Sequence, residues 1–479
     1  MGPAEWHVSP YSGSWYPRGR SELESLIAEL SEESRRRTGP WITPQPLAFI
    51  VPHAGLIYSG AIAAAAYRHI SAAKPERVFL LGFSHRPGPQ GILAPDVSVI
   101  ETPLGPSLVD RDLVNALVRS GPFRSVGEDW VCDHSVEIQL PMLRSAAPEA
   151  VIVPLYVNRP RREERREAAR ILAEYVEHGS VFLASSDFTH FGANFGYTPF
   201  PVDELTRERL AALDQEMAEA AGSLDSGLFL DTVRSHSATV CGVDPIALLL
   251  DTLEAAEVDG EVFPYRHDYR TSGDLTGDFH HSVSYLTLGF YPHTSFQLDA
   301  TAGRALLESA LATLRRWQET GRREPVRPRA ADPMLESPLG VFVSIYVRGE
   351  LRGCIGSLGR EPLGRAAPEM ALAAALDDTR FAPLSPDESD FSLEISILTP
   401  MKRVRGREAV RVGEHGALLR RGYRQGLLLP QVATERNWDA DTFLEALARK
   451  ANLPPTVWQD PEARLYVFRA QRLHGGVES

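Results

Sequence analysis

The sequence is poor in cysteine and has neither a long apolar run nor an excess of basic charge. Its three cysteines, Cys132, Cys241 and Cys354, lie more than a hundred residues apart. This spacing is atypical of a disulfide framework and predicts a reducing, cytoplasmic location. Residues 1–30 contain no apolar segment of the signal-peptide type, and nowhere do about 18 uncharged apolar residues follow one another. We therefore expect neither secretion nor a membrane-spanning helix.

The charge balance of the chain is acidic. Asp and Glu total 63 against 50 Lys and Arg, so the formal net charge is −13, which argues against binding nucleic acid by neutralising phosphates. Hydrophobic residues make up 43% and charged residues 24%, as in ordinary globular proteins. At 479 residues the chain exceeds the about 250–300 residues over which one core usually grows. We therefore expect two domains.

Short apolar runs alternate with helix-like stretches in the first half of the chain. The runs lack the polar alternation of a half-exposed sheet, so they are typical of strands buried on both faces of a parallel α/β sheet. The predicted strands are residues 47–51, 77–81, 151–155 and 181–184. The predicted helices between them include residues 60–70, 110–120 and 163–178. The first domain is therefore predicted to be α/β.

A change of composition marks the end of the first domain. Residues 271–281 are rich in Gly, Ser, Thr, Asp and His, and one more strand-like run ends at Pro292. We place the domains at residues 1–295 and 296–479. In the second domain we predict strands at residues 340–347, 351–356, 392–398 and 426–430, and helices at residues 304–317 and 440–451. This pattern predicts a smaller α+β domain.

Polar side chains of ligand type follow the predicted strands of the first domain. His53 follows the first, His85 follows the second, and Asp187 with His190 follows the fourth. In open α/β sheets, ligands bind at the carboxyl ends of the strands. A single histidine after a strand is usually unremarkable, but three in the same topological position indicate a site.

Two further segments carry residues of interest. Cys241 precedes a Leu-rich helix that begins near Asp244, so the helix dipole could stabilise its thiolate as a metal ligand or nucleophile, unless the thiol is simply buried. His134 and Glu137 share a face if their segment is helical, and they either line the same pocket or cap the helix. Two imidazoles and a thiolate suit zinc, iron or copper and leave a coordination position free. We therefore predict a reactive metal site at His53, His85 and Cys241.

The motifs of the first domain resemble those of the Memo family. They are Pro52-His-Ala-Gly55, Ser84-His85, Asp133-His134-Ser135 with Glu137, Ser185-Ser-Asp-Phe-Thr-His190 and Cys241-Gly242, with Ser14-Trp15-Tyr16 near the start. The match runs over about residues 5–292 in one order. The resemblance implies a fold similar to the class III extradiol dioxygenases (LigB-like). It also implies a metal held by His53, His85 and Cys241.

The remainder of the chain resembles the AMMECR family. The matching pieces are Leu351-Arg-Gly-Cys-Ile-Gly356, Asp378-Thr-Arg-Phe381, Leu393-Glu-Ile-Ser396 and Leu427-Leu-Leu-Pro-Gln-Val-Ala433, with Trp438 and Phe443. The two families occur together with a radical-SAM protein in a three-part prokaryotic system, the AmmeMemoRadiSam system. The resemblance therefore implies a fusion of system proteins B and A with a radical-SAM partner. Cys354 is expected to be either a buried structural thiol or a substrate contact.

The leading expectation for function is a metal-dependent redox enzyme. Iron(II) is the first choice of metal, with copper or zinc as alternatives, and the substrate is a small molecule, in one version aromatic. His190 would act as general acid and base, oriented by Asp187, with His134 as a further catalytic residue. Three features depart from the relatives: Phe83 stands where many members have proline, Arg86 stands where a second histidine is common, and a thiolate replaces the carboxylate of ring-cleaving enzymes. Dioxygenase activity therefore does not follow from the fold alone.

Two other functions stay open at this point. One is a metal-free cysteine hydrolase with Cys241 as nucleophile and His190 or His236 as base. The other is a non-enzymatic module that binds a peptide or a protein partner in the same crevice. Neither nucleic acid nor a membrane is an expected partner.

Overall fold

The computed structural model describes residues 6–476. Its internal contacts divide the chain into two units: the first runs to Thr38 and continues over Thr43–Pro292, and the second comprises Gly39–Ile42 and the chain from His293 onward. The division after Pro292 falls close to the boundary that we predict after residue 295.

The first unit contains twelve strands and eleven helices among the described residues. Its strands are β1 (Trp6–Val8), β2 (Ala48–Val51), β3 (Arg77–Gly82), β4 (Gly91–Pro95), β5 (Val99–Thr102), β6 (Gly105–Leu108), β7 (Phe123–Val126), β8 (Val151–Asn158), β9 (Ser180–Ser185), β10 (His190–Gly192), β11 (Val262–Thr271) and β12 (His281–Pro292). Its helices are α1 (Arg20–Thr38), α2 (Leu56–Ala73), α3 (Arg111–Ser120), α4 (Glu128–Val131), α5 (His134–Glu137), α6 (Gln139–Ala146), α7 (Arg162–Ala173), α8 (Thr206–Ala221), α9 (Ser226–Ser235), α10 (Val243–Ala255) and α11 (Ser272–Thr276).

A nine-stranded sheet forms the core of the first unit. Its strands lie in the order β10, β12, β2, β9, β3, β8, β4, β7, and β11 pairs with β12. The central strands β2, β9, β3 and β8 are parallel, whereas β12 and β4 join them antiparallel. The fold is mixed α/β: our prediction of a parallel sheet holds for these four strands, and β4 with β7 forms one further parallel pair. They are almost wholly buried, which explains their continuous apolar sequence.

The parallel strands place three predicted site residues at one edge of the sheet. His53 follows β2, Asp187 follows β9 and His85 follows β3, and β9 lies between β2 and β3. Because parallel strands end on the same side, these three residues emerge next to one another. The order along the sheet is therefore His53, Asp187, His85.

Helices cover the central strands. The Ala-rich helix α2 buries most of its residues, and α7 packs against α10. Helix α7 ends at Ala173, earlier than the predicted residue 178. The N–H groups of Tyr175 and Val176 bond to carbonyls three residues back, and the left-handed backbone of Glu177 then turns the chain. Within residues 6–476, no helix combines the length and apolarity needed to cross a bilayer.

The second unit contains two four-stranded sheets and four helices among its described residues. Its strands are β13 (Gly340–Val347), β14 (Glu350–Leu358), β15 (Phe391–Leu398), β16 (Lys402–Val404), β17 (Gly416–Arg421), β18 (Arg424–Leu428), β19 (Arg464–Phe468) and β20 (Ala470–Gly476). Its helices are α12 (Ala300–Thr320), α13 (Leu363–Leu376), α14 (Pro430–Glu435) and α15 (Ala440–Lys450). One sheet has the order β14, β13, β15, β20 and the other β16, β19, β17, β18, all antiparallel.

The second unit combines helices with antiparallel strands, as the sequence pattern predicts. Strand β18 ends at Leu428, before the predicted residue 430. Pro430 instead opens α14, because proline has no N–H for a sheet and is well tolerated in the first helical turn.

Candidate metal centre

Three histidines of the first unit converge beyond the sheet edge. His53, His85 and His134 each offer a ring nitrogen, and these nitrogens all lie within 4.8 Å of one another. The ring centroids of His85 and His134 stack at 4.1 Å, and His53 meets both rings edge-on at 5.4 Å and 5.3 Å. Three imidazoles at this spacing could hold one transition-metal ion.

Cys241 joins this cluster through His53. Its sulfur lies 3.2 Å from Nε2 of His53, and the backbone N–H of Asp187 donates to the same sulfur at 3.2 Å. Gly242 allows this close approach, since an added Cβ would lie 2.5 Å from Cβ of Ser186. The structure thus places His53 close to each of the other two predicted ligands, Cys241 and His85.

Oxygen atoms fix the far nitrogens of two of the rings. Nδ1 of His85 lies 2.9 Å from a carboxylate oxygen of Asp133, and Nδ1 of His53 lies 3.1 Å from the hydroxyl of Ser185. Asp133 also accepts a hydrogen bond from the backbone N–H of His85. A proton on each Nδ1 leaves a lone pair on each Nε2, which is the tautomer that a metal-binding imidazole requires.

Burial controls the protonation of the cluster. It lowers the pKa of His53 to about 3, with help from the neighbouring charge of His85, and it lowers the pKa of His134 to about 4. Burial opposes ionisation of Asp133, but its hydrogen bond to His85 and the charge of His134 outweigh this and hold its pKa at about 2. The two histidines are therefore neutral, and Asp133 ionised, near pH 7.

Burial shifts the pKa of the Cys241 thiol upward, whereas it lowers the pKa of the histidines. Burial and then the charge of Asp187 raise its pKa above the ordinary value, despite hydrogen bonds from Ser186 and two backbone N–H groups. The helix dipole invoked from the sequence does not overcome this burial. A bound cation would supply the charge needed to displace the thiol proton.

Asp187 and His190 are held mainly by backbone groups. The buried carboxylate of Asp187 accepts from the backbone N–H of His53 at 2.8 Å and from that of Ala54, and burial raises its pKa. Nδ1 of His190 lies 3.0 Å from the carbonyl oxygens of both Phe188 and Thr239. Carbonyl oxygens, and not Asp187, therefore fix the proton on Nδ1 of His190 and leave its Nε2 able to accept one.

His134 and Glu137 point to different neighbours. His134 stacks on Trp15 at 4.2 Å and on His85 at 4.1 Å. Glu137 instead contacts His7. The capping side chain of this short helix is Asp133, which accepts from the N–H of Ser135. His134 therefore lines the pocket of the histidine cluster and Glu137 does not, and neither of them caps the helix.

An open cleft leads to the cluster. Its volume is about 520 Å³. It is lined by residues 83–90 and 157–159 together with Cys241, Asp244 and Pro245. His85 and Cys241 contribute to its wall, as do the guanidinium-bearing Arg86 and Arg159. A small molecule in this cleft would contact two of the predicted ligands.

Several supporting residues escaped prediction from sequence. Asp133, Ser185 and Gln139 hold the ligands or their partners, and Gln139 donates to Ser185 at 2.9 Å. Asp133 precedes His134 in a motif that the sequence identifies. Its position next to His134 was therefore the signal that could have revealed its role. Arg159 begins a basic stretch that runs to Arg170 and is typical of either a solvated helix face or an anion site, but its place in the cleft arises only through tertiary folding.

Comparisons with known proteins agree with this division of the chain. The family model described as Memo-like protein matches residues 9–289, and the model described as AMMECR1 matches residues 307–473. A memo-1 homolog of Caenorhabditis elegans is 28% identical over 292 residues, which cover 59% of this chain and 82% of the relative. A MEMO1 family protein of Thermoplasma acidophilum is 29% identical over 283 residues, covering 58% and 96%. A protein of Methanothermobacter thermautotrophicus is 46% identical over 143 residues, covering 28% and 74%.

Proposed function

We propose that this chain, which belongs to the Memo-like protein family and also carries an AMMECR1 domain, is a metal-dependent redox protein. The observation that carries the proposal is the contact of His53 with Cys241 at 3.2 Å, beside the nitrogens of His85 and His134. Neutral imidazoles and a thiol that a cation can deprotonate form a donor set for a transition metal.

Iron(II) is the metal that we propose, with copper or zinc as alternatives. His53, His85 and Cys241 would hold it, and His134 offers a further nitrogen at the same cluster. Iron(II) in an open site supplies the ability to bind and activate dioxygen or an oxygenated substrate. Asp133 and Ser185 would keep the two ligand rings in the required tautomer.

The protein's own groups would move protons during turnover. His190 is half-buried, and its Nδ1 hydrogen is held by two carbonyl oxygens. Its Nε2 is therefore the atom that would accept and return a proton. Asp187 would influence this transfer through its charge, since the charges of the two side chains interact.

The fold suggests the class of substrate. The Memo family resembles the class III extradiol dioxygenases, which open catechol rings, although a thiolate here replaces their usual carboxylate ligand. The cleft presents Arg86 and Arg159 against one carboxylate, Asp244. We therefore propose a small aromatic substrate that bears an anionic group, which a guanidinium would bind.

A binding experiment tests the substrate class. Benzoate should bind the metal-loaded protein more tightly than the neutral benzamide. Arg159→Gln or Arg86→Gln should reduce the ratio of the two affinities about tenfold. Arg170→Gln, a change on the exposed side of α7, is the control. Equal binding of the two probes would reject the anionic substrate.

We further propose a radical-SAM protein as partner. We propose this partner because the two domain families occur together with such a protein. The AMMECR1 domain would then act on the same intermediate as the metal centre, because fusion raises the effective concentration of one site at the other. Severing the chain after residue 292 should slow the coupled reaction at high dilution, and equal rates would contradict the idea.

Elemental analysis tests the metal centre directly. Protein purified without oxygen should contain stoichiometric iron or copper, and His53→Ala, His85→Ala and Cys241→Ala should each lose it. Cys354→Ala, which removes a thiol of the second unit, should retain the metal. Full metal content in the His53 variant would overturn the proposal.

The metal-free cysteine hydrolase is not favoured. The raised pKa of Cys241 keeps its thiol protonated, and its imidazole neighbour His53 is a weak base with a pKa of about 3. His236 instead contacts Glu216 at 3.2 Å. Inactivation by a thiol reagent together with indifference to chelators would restore this reading.

A non-enzymatic binding module is the remaining alternative. In that case mutation of the ligand residues should leave capture of the radical-SAM partner unchanged. Loss of capture in the His53→Ala variant would tie the partner to the metal centre instead.

A further inference from the structure

A second cluster of ligand-type side chains lies near the first but is built from different residues. His7 is on β1, Cys132 lies between α4 and α5, and Glu137 is the last residue of α5. Each offers one ligand atom, and the three atoms all lie within 4.8 Å of one another. Nε2 of His7 lies 3.0 Å from one carboxylate oxygen of Glu137.

The carboxylate of Glu137 is incompletely satisfied. Its side chain is fully buried, at 0% exposure, and its second oxygen, Oε2, has no hydrogen-bond partner. Cys132 is also buried, and His7 is exposed by only 14%. A buried carboxylate oxygen without a donor is unfavourable unless a cation or a hydrogen bond balances it. The structure therefore points to a ligand inside this cluster.

The imidazole of His7 already has the orientation of a metal ligand. Its Nδ1 lies 2.7 Å from a carboxylate oxygen of Glu128, on the side away from Glu137. A proton on Nδ1 would be shared with Glu128, and the lone pair of Nε2 would face Glu137. Metal-bound histidines commonly have this arrangement, in which a carboxylate holds the nitrogen that does not bind the metal.

A hydroxyl group lies near the sulfur of Cys132. Burial raises the pKa of this thiol, and the hydroxyl of Tyr156 opposes the rise; the oxygen of that hydroxyl accepts from the backbone N–H of Asp133 at 3.2 Å. Because the oxygen is already an acceptor, its hydrogen is free to point at the sulfur. Such a donor stabilises a thiolate once a cation has displaced the thiol proton.

We propose that His7, Cys132 and Glu137 bind a zinc ion. One imidazole, one thiolate and one carboxylate are ligands that zinc accepts in tetrahedral sites, with the fourth position left for water or the second oxygen of Glu137. Binding would release the thiol proton and any proton shared between His7 and its two carboxylates to solvent. The site does not depend on the redox function proposed above.

The second site would also support the first. Cys132 and Glu137 lie on either side of Asp133 and His134 in one short segment, and those two residues face the histidine cluster. Zinc would fix both ends of this segment. The metal-free alternative is a His7 imidazolium held between Glu128 and Glu137, which leaves Oε2 of Glu137 unsatisfied.

Cobalt substitution separates the two sites. In the full chain carrying Cys241→Ser, Co²⁺ added to metal-free protein should still give the near-ultraviolet charge-transfer band of a cobalt thiolate. The further change Cys132→Ser should abolish that band, whereas Cys354→Ser should leave it. Absence of the band in the Cys241→Ser protein would overturn the proposal, because Cys132 would then bind no metal.

Zinc stoichiometry supplies a second, independent measurement. Metal-free wild-type protein titrated with Zn²⁺ against a chromophoric chelator should show one more tight equivalent than the isosteric Glu137→Gln variant. The Gln variant keeps the side-chain volume, and circular dichroism verifies its fold. The same stoichiometry in Glu137→Gln, His7→Gln and wild type would reject the site, whatever the occupancy of the first centre.

Discussion

The sulfur of Cys241 and Nε2 of His53 lie 3.2 Å apart, although 188 residues separate them in sequence. Each is positioned by the strand ends of the central sheet: His53 lies two residues after β2, and Cys241 accepts a hydrogen bond from the backbone N–H of Asp187, two residues after β9. A donor pair assembled in this way should respond to changes in the backbone that holds it.

Asp133 should control metal affinity without binding the metal. Asp133→Asn keeps the shape of the side chain but weakens its hold on Nδ1 of His85. We expect metal affinity to fall about 10–100-fold, the usual effect of losing the partner of a metal-bound histidine. Chelator competition measures the change. Asp129→Asn, a nearby change in α4, is the control, and an unchanged affinity for Asp133→Asn would contradict the assignment.

Metal affinity should rise with pH because of Cys241. The pKa of this thiol is raised by burial, so the thiol is protonated near neutrality and must lose its proton when the metal binds. His53 adds no proton release there, since its pKa is about 3. Affinity should therefore increase about tenfold per pH unit between about pH 6 and about pH 8. In Cys241→Ser this slope should disappear, and a wild-type affinity independent of pH would exclude the thiolate ligand.

Gly242 should be intolerant of a side chain. In Gly242→Ala the new Cβ would approach Cβ of Ser186 to 2.5 Å and the carbonyl oxygen of Ser185 to 2.6 Å. The loop must shift, and Cys241 with it. We expect a loss of about 1–3 kcal/mol in the free energy of unfolding, measured by urea denaturation, together with weaker metal binding. Gly19→Ala, whose new Cβ would meet its nearest atoms at 3.8 Å, tests whether any alanine at a loop glycine has the same effect.

Asp378 should stabilise the second unit in a pH-dependent way. Its carboxylate accepts from the backbone N–H of Cys354 at 2.8 Å and from the guanidinium of Arg380 at 2.7 Å. The hydrogen bond to Arg380 is the main reason that its pKa falls to about 2, below the ordinary value of 3.8. A lowered pKa in the folded state means that this stabilisation is present above pH 3.8 and is lost as the pH falls through about 2.

Thermal unfolding of Asp378→Asn tests this sign. At neutral pH the variant should lose about 1–2 kcal/mol, and its difference from wild type should shrink as the pH approaches 2. Asp377→Asn is the matched control, because the neighbouring Asp377 pairs with the exposed Arg323. A difference that stays constant with pH would assign the effect to shape and not to charge.

The central strands could be predicted from sequence because burial on both faces leaves a continuous apolar run. Strands β2, β3 and β9 begin and end within a few residues of their predicted limits. The edge strands could not be predicted in this way. Strand β6, for example, has the sequence Gly-Pro-Ser-Leu and is only partly buried, so its pairing with β5 and not its composition makes it a strand.

The residues of the site also differ in how far the sequence could predict their positions. His53, His85 and Asp187 could be placed together because each follows a buried strand, and that rule is local. The contact of Asp133 with His85 spans 48 residues, and that of Glu137 with His7 spans 130. Such pairings depend on how the loops pack, and no periodicity in the sequence encodes them.

The sheet fixes the dimensions of the first centre more firmly than side-chain packing can. His53, Asp187 and His85 follow neighbouring parallel strands, whose separation of about 4.8 Å is set by the backbone hydrogen bonds. The hydrogen-bond ladder thus sets the distances between the backbones of these three residues. Arg86 and Arg159 lie beyond the ends of β3 and β8, in the wall of the cleft, so exchanging them would leave the spacing of the residues behind them unchanged. A scaffold of this kind can acquire new substrates over evolutionary time without rebuilding the residues that we propose as metal ligands.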